Sequence, residues 1–369
     1  MRRVFNTPMP PSTMPPSALP LSILDLVPVS EGSSGPQAIT NSISLAQAAD
    51  AAGYTRYWIA EHHNTSSVVS SAPEILIGVL ATHTQRIRVG SGGIMLPNHA
   101  PLKVAENFRT LEALAPGRID LGIGRAPGTD GVTALALRGS QEALHRDDLP
   151  DQLAELRAYS GQDDGGAGYF PANHPLGAVR ASPVDVPLPP IYLLGSSTYS
   201  AQLAAHLGYG FAFAYHFSAA AAGEAMSLYR QNFRPSAQLA APHAILATVA
   251  VAADTEPEAE RLASSLGLMF LNIRRGQSRP IPSPEEALAY PYSAAERAFV
   301  QSYRATQTVG TPQQVRAELE ALAARYGADE IMITAALHSH AARVRSYELI
   351  AQAFELGSKQ PALAGAASD

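Results

Sequence analysis

Arg118-Ile119-Asp120-Leu121-Gly122-Ile123-Gly124-Arg125-Ala126-Pro127-Gly128 is the stretch that decides the fold. An apolar run ending in glycines could open a dinucleotide-binding βαβ unit. Its continuation, Gly128-Thr129-Asp130-Gly131, reads as loop and not as the opening of a helix, and no acidic partner follows at the distance such a unit needs. The Rossmann reading therefore fails. What remains is a buried strand that delivers a polar residue, Arg125, at its end.

Outward from this stretch the same form recurs. Leu21–Asp25 is followed by a Gly/Ser loop and a helix expected from Pro36 to Gly53, with the usual proline start and glycine stop. Residues 54–60 precede a helix opening at Pro73, residues 87–94 one opening near Pro101, and residues 118–122 a long loop and an amphipathic segment at 141–159. Ile191–Gly195, Gly210–Ala214 and the runs 243–253 and 330–335 complete eight strand-like segments, each with a helix candidate behind it. Eight β–α units without a compositional break predict one α/β domain, a (β/α)8 barrel, over residues 21–357.

At 369 residues the chain exceeds the ~250 of a bare barrel. Insertions are expected at about 162–189 and at 266–309, the latter with Pro280, Pro282, Pro284 and Pro291. Residues 1–20, rich in proline, read as a disordered arm, and residues 358–369 as a flexible tail. The balance of 26 Lys and Arg against 32 Asp and Glu gives a net charge of -6, with the basic residues scattered, which argues against nucleic acid as a partner. The absence of cysteine excludes thiol catalysis, disulfides, thiolate zinc sites and iron–sulfur clusters, so redox chemistry would need a bound cofactor. No run approaches the ~18 apolar residues of a membrane span, and proline interrupts the place of a signal-peptide core after Arg2 and Arg3; the expectation is a cytoplasmic protein.

Barrel chemistry sits at the C-terminal ends of the strands. There the second run ends in Glu61-His62-His63, which reads as catalytic or cofactor-contacting, as structural hydrogen bonding, or as a metal site. Adjacent strand residues point to opposite faces, so His62 and His63 would need a bend to grip one ion. The third run ends Gly90-Ser91-Gly92-Gly93-Ile94-Met95-Leu96-Pro97, a place for a bulge where a flat group approaches the backbone, or for a bend at a barrel corner. Arg125 matches a phosphate or carboxylate, or else pairs with a loop acid. Gly195-Ser196-Ser197-Thr198-Tyr199-Ser200 opens a helix whose start can bind an anion or be plainly capped. No G-x-S-x-G elbow, Walker loop or H-E-x-x-H is present.

Four segments carry a resemblance when taken together: Trp58-Ile59-Ala60-Glu61-His62-His63, Gly93-Ile94-Met95-Leu96-Pro97-Asn98, residues 117–125, and Val309-Gly310-Thr311-Pro312. Over residues 21 to about 356 the chain resembles the bacterial-luciferase-like, flavin-dependent monooxygenases, in particular the luciferase-like oxidoreductases of unknown substrate. The resemblance implies a (β/α)8 barrel, reduced FMN supplied by a separate flavin reductase, O2 as co-substrate, a small organic substrate and a homodimer. It implies a non-prolyl cis peptide at Gly92-Gly93 behind the flavin ring. The cofactor set it implies is Gly92, Gly93, Met95, Gly124, Arg125, Gly195, Ser196, Ser197 and Ser200, with Arg125 and the serines on the flavin phosphate. The catalytic set is Glu61, His62 and His63, with no metal. Light-emitting members carry a cysteine at the position of Gly124, so light emission is not expected. Residues 266–309 match the region of the luciferase lid. Some relatives use the deazaflavin F420, which makes an F420-dependent oxidoreductase the alternative; a catalytically silent flavin-binding protein and a metal-dependent hydrolase are readings from other classes.

Overall fold

All eight runs become strands of one closed parallel barrel in a computed structural model that describes residues 19–146, 148–161 and 168–359. In chain order the strands are β1 (Leu21–Asp25), β2 (Arg56–Ile59), β3 (Arg88–Ser91), β4 (Ile94–Met95), β5 (Ile119–Gly124), β6 (Ile191–Gly195), β7 (Gly210–Ala214), β8 (Ala244–Ala252), β9 (Thr308–Gly310) and β10 (Glu330–Thr334). The ring runs β1, β2, β3, β5, β6, β7, β8, β10 and back to β1, where Leu21 pairs with Ile331. β4 pairs with β5 and β9 extends β8 outside the ring.

Around it lie α1 (Gly35–Ala52), α2 (Pro73–His83), α3 (Pro101–Leu114), α4 (Gly131–Arg138), α5 (Gln141–His145), α6 (Leu149–Ser160) and α7 (Thr198–Leu207). They are followed by α8 (Tyr215–Ser218), α9 (Ala222–Asn232), α10 (Glu256–Arg274), α11 (Pro284–Ala289), α12 (Ala294–Arg304), α13 (Pro312–Tyr326) and α14 (His340–Phe354). The start signals are chemical: proline occupies the first turn of α1, α2, α3 and α10, and Thr311 and Gln314 close a capping box on α13.

Alternation along the strands sorts the apolar residues into two cores. Leu21, Ile23, Tyr57, Ile59, Phe211 and Phe213 pack in the large outer core with the helices. Their neighbours Leu24, Trp58, Tyr192, Ala212, Ile245 and Met332 form a separate cluster inside the barrel. At the N-terminal end the interior is closed by charge. Arg56 reaches both oxygens of Glu330 (2.8 and 3.0 Å), Asp120 (2.8 Å) and the Tyr192 hydroxyl (3.1 Å), and Trp58 Nε1 donates to Asp120 at 3.0 Å. Burial alone would raise the Glu330 carboxyl, but Arg56 and His243 hold it at about 2. The opposite, C-terminal mouth stays open for chemistry.

The structure corrects several local expectations. Residues 128–131 do lead into a helix: the Asp130 carboxylate accepts from the N–H groups of Val132 (2.9 Å) and Thr133 (3.0 Å) and so starts α4. The single segment expected at 141–159 is two helices, α5 and α6. The run 87–94 is interrupted after β3, and its last residue belongs to β4. Within 266–309, the first residues continue α10, and Ile281 then bridges back to the loop after β1 through Glu31 N–H (2.9 Å) and the Val29 carbonyl (2.8 Å). The part of the other insertion at 162–167 and the arm and tail at 1–18 and 360–369 lie outside the described residues. Among the described residues, no helix is long and apolar enough to cross a membrane.

Candidate active site

The C-terminal mouth holds two joined cavities. The inner one, about 280 Å³, is lined by eight of the nine expected cofactor residues: Gly92, Met95, Gly124, Arg125, Gly195, Ser196, Ser197 and Ser200. The outer one, about 780 Å³, is walled by α10 and the loops after β2 and β5. His62, His216 and Phe217 border both.

The Gly92–Gly93 peptide bond is cis, as the resemblance implied. Only Gly92 borders the cavity. A Cβ on Gly93 would lie 2.7 Å from the Gly122 carbonyl oxygen, so Gly93 is glycine because β5 passes too close. A Cβ on Gly92 would lie 2.6 Å from Leu24 Cδ1, again a collision with the barrel wall and not with open space. The missing side chains therefore serve strand packing as well as access to the backbone.

At the far end of the inner cavity, β5 delivers Arg125 and β6 runs through Gly195 into α7. Ser197 occupies the N-cap of α7 and its side chain makes no capping bond, and the start of this helix borders the cavity. The Arg125 guanidinium lies 4.2 Å from the centre of the Tyr199 ring, a cation–π contact that fixes its direction. Ser200 is buried, whereas Ser196 and Ser197 are exposed.

Glu61, His62 and His63 separate as strand alternation requires. Glu61 is fully buried and borders neither cavity. Its carboxylate accepts from His63 Nε2 (2.8 Å), His99 Nε2 (2.9 Å) and the Met95 N–H (2.8 Å). Burial would raise this carboxyl, but the hydrogen bonds from His99, His63 and Met95 bring it below its ordinary value. On His99 burial works downward and the Glu61 hydrogen bond and charge win, raising it. His63, thus anchored, borders the outer cavity. His62 points the other way: its Nδ1 is buried with no hydrogen-bond partner, and burial lowers its pKa against the pull of Glu61.

Two residues absent from the sequence reading belong here. His99 follows the one-turn helix Leu96–Asn98 and joins Glu61 from 38 positions away. His216, in α8, is bonded to the Ala247 carbonyl through Nδ1 at 2.9 Å. Burial pushes it down to about 4, so the ring is neutral at pH 7 and its other nitrogen is an acceptor. Among the described residues no group of three or more acidic and histidine side chains is arranged to hold a metal ion.

The segment after α10 is bonded to the loop after β2. Ser66 N–H donates to Ser278 Oγ at 2.7 Å and Ser66 Oγ to the Ser278 carbonyl at 2.8 Å, linking the loop after β2 to the end of α10.

Comparison with known proteins bears on the same residues. The chain is 46% identical over 336 residues to the protein YvbT of Bacillus subtilis (strain 168), covering 90% of this chain and 96% of that one. It is 43% identical over 327 residues to a luciferase-like monooxygenase of Escherichia coli (strain K12), covering 89% and 94%. Among solved structures, apo-MsnO8 is similar with a TM-score of 0.81 and 39% identity, covering 92% of this chain and 98% of that one. Two more share the fold alone. The oxygenating constituent of 3,6-diketocamphane monooxygenase from Pseudomonas putida, in complex with FMN, is 22% identical (TM-score 0.67, covering 91% and 98%). An F420-dependent secondary alcohol dehydrogenase, in complex with an F420-acetone adduct, is 12% identical (TM-score 0.61, covering 92% and 99%). One barrel design thus serves both FMN and F420. Residues 19–330 match the luciferase-like monooxygenase model, and with this coverage and these identities the chain belongs to that family.

Proposed function

We propose that the protein is a monooxygenase that uses reduced FMN, delivered by a separate reductase, and O2 on a small organic substrate. The observation that carries this reading is the junction of a narrow inner cavity, ended by Arg125 and the start of α7, with a larger outer cavity at His62.

The inner residues fit a flavin mononucleotide. A phosphate dianion finds a guanidinium and the N-terminus of α7 at one end. A flat ring finds Gly92, Gly124 and Met95 against the apolar wall of Leu24, Trp58 and Met332 at the other. The buried, unpartnered His62 Nδ1 is the kind of atom a ligand satisfies. When bound, reduced FMN supplies the two electrons with which one atom of O2 enters a substrate while the other becomes water. Arg125 and α7 anchor and orient; Phe217 and α10 keep water from the junction. His62, neutral at pH 7, exchanges a proton with groups at the junction, and His63 does so on the outer side, held by Glu61.

The test is an anaerobic titration with reduced FMN and, separately, reduced F420, followed by 18O2 and a panel of organic sulfides and ketones. The reading expects binding of reduced FMN and one 18O atom per product. Binding of F420 alone would replace it with the F420-dependent alternative, and flavin binding with only peroxide released across the panel would favour a silent flavin-binding protein.

A further inference from the structure

The outer chamber has an uneven chemistry that narrows what it accepts. α10 turns Leu266, Met269, Phe270 and Ile273 toward it, at the i, i+3, i+4, i+7 spacing of one helix face, and Phe217 lies at the junction with the inner cavity. Among the described residues, no lysine or arginine lines it. Of the arginines that follow on the same segment, none lines the chamber: Arg274 lies over the Phe299 ring at 4.5 Å, Arg275 pairs with Glu296, and Arg279 with Glu31 and Glu286. The rim carries a negative charge instead. Asp130 is held well below the ordinary carboxylate range by hydrogen bonds from the Thr133 N–H and hydroxyl and from Asn64.

The polar groups of the wall are mostly spoken for. Thr65 and Ser67 bond to each other and Thr65 to Ser278, each at 2.8 Å, and His63 is held by Glu61. His62 and His216 are buried and neutral at pH 7. One buried polar atom in the wall has no partner, His62 Nδ1 at the inner end; the Tyr303 ring stacks on Phe270 at 3.9 Å and its hydroxyl faces Gln307.

We propose that this chamber takes an uncharged, predominantly apolar molecule with a single polar group directed at His62, and excludes carboxylates and other anions. This rests on the reading of the chamber as the substrate site. An anion entering it would shed water without meeting a cation and would pass Asp130 on the way. An apolar body gains the α10 face, and one neutral hydrogen-bonding group satisfies the orphaned imidazole nitrogen.

Matched probes test this without cofactor chemistry. Binding of 4-phenylbutanamide and of 4-phenylbutanoate to the protein is measured by calorimetry at pH 7.5, with Arg125→Ala present throughout to remove the cation of the inner cavity, in the otherwise wild-type chain and in Ile273→Arg, which places a cation on the half-exposed rim. The amide should bind at least about tenfold more tightly than the acid in the otherwise wild-type chain, and Ile273→Arg should close or reverse that gap. Equal or tighter binding of the acid, no binding of the amide up to its solubility, or a gap that Ile273→Arg leaves unchanged would overturn the proposal. These outcomes are read without flavin, so they stand apart from any failure of the reduced-FMN reading.

Discussion

Replacing Glu61 by Gln tests whether the buried carboxylate organises the mouth. In the wild type it accepts from two imidazoles and one backbone N–H, at 2.8 to 2.9 Å, with no exposed surface. A hydrogen bond to a charged group contributes about 1.5–3 kcal/mol, but the amide oxygen of Gln still accepts one or two of the three. Its NH2 group then faces a donor. The net loss is about 2–4 kcal/mol, which for a chain of this length lowers Tm by roughly 3–5 °C.

The pH dependence gives the sign independently. Glu61 is lowered in the folded protein, so its contribution is present above the ordinary carboxylate value and is lost as pH falls through the folded one. His99 is raised, so its contribution is present below the ordinary imidazole value and is lost as pH rises through the folded one. The Glu61→Gln variant should therefore show its largest Tm deficit around pH 5 to 6, a deficit that vanishes toward acid as Glu61 protonates and shrinks only in part toward alkaline pH, where the His99 contribution alone is lost. Calorimetric scans from pH 3.5 to 9 measure it. A deficit that is flat with pH, or below about 1 °C throughout, would refute the account of Glu61 as the shared acceptor.

Arg125→Ala should weaken reduced FMN by roughly 1.5–3 kcal/mol and leave riboflavin nearly unchanged; equal loss for both, in anaerobic fluorescence titration, would mean that Arg125 acts through the fold. His62→Ala should fold normally and keep flavin affinity within a few-fold, while peroxide release per oxygen consumed rises by ~tenfold or more; unchanged coupling removes His62 from the chemistry. Gly93→Ala should lose stability before it loses flavin, because the added methyl meets the β5 backbone; a normal Tm with flavin binding abolished would instead make Gly93 a surface for the cofactor.

The barrel was legible because each strand is buried on both faces and therefore reads as an uninterrupted apolar run, and because proline and glycine mark the helices between them. The strand ends were legible for the same reason: once the runs are placed, the next polar residues are at the mouth, and Gly92, Arg125 and Ser196 follow directly. Side-chain partnerships were not. Glu61 and His99 are 38 residues apart, and Arg56 meets Asp120 and Glu330 across 64 and 274. No local period encodes such a meeting; it exists only after the ring closes. The start of α4 was missed because the glycines flanking Thr129-Asp130 suggest a turn, whereas Asp130 acts as a cap. Gly93 shows the converse limit, since a glycine kept for a ligand and one kept for a neighbouring strand look the same in one sequence.

The two ends of the barrel treat buried polar groups in opposite ways, and this locates function without reference to any relative. At the N-terminal end Arg56, Asp120, Glu330, Trp58 and Tyr192 are bonded to one another, a charge network closed on itself. A buried polar atom left unpaired costs about 1–3 kcal/mol, and such a cost persists only where something else requires it. At the C-terminal mouth that cost is present at His62 Nδ1, which has no partner. Packing could have filled this place with leucine or closed it with a further hydrogen bond, as it did at the other end. Unpaired buried atoms occur elsewhere among the described residues too, Arg109 Nε and Ser265 Oγ among them; His62 Nδ1 differs in that its residue borders two cavities, one lined by Arg125 and the start of α7 and one with the apolar face of α10 in its wall. On the proposed reading, a flavin held in the first would lie beside His62, a residue that the two cavities share.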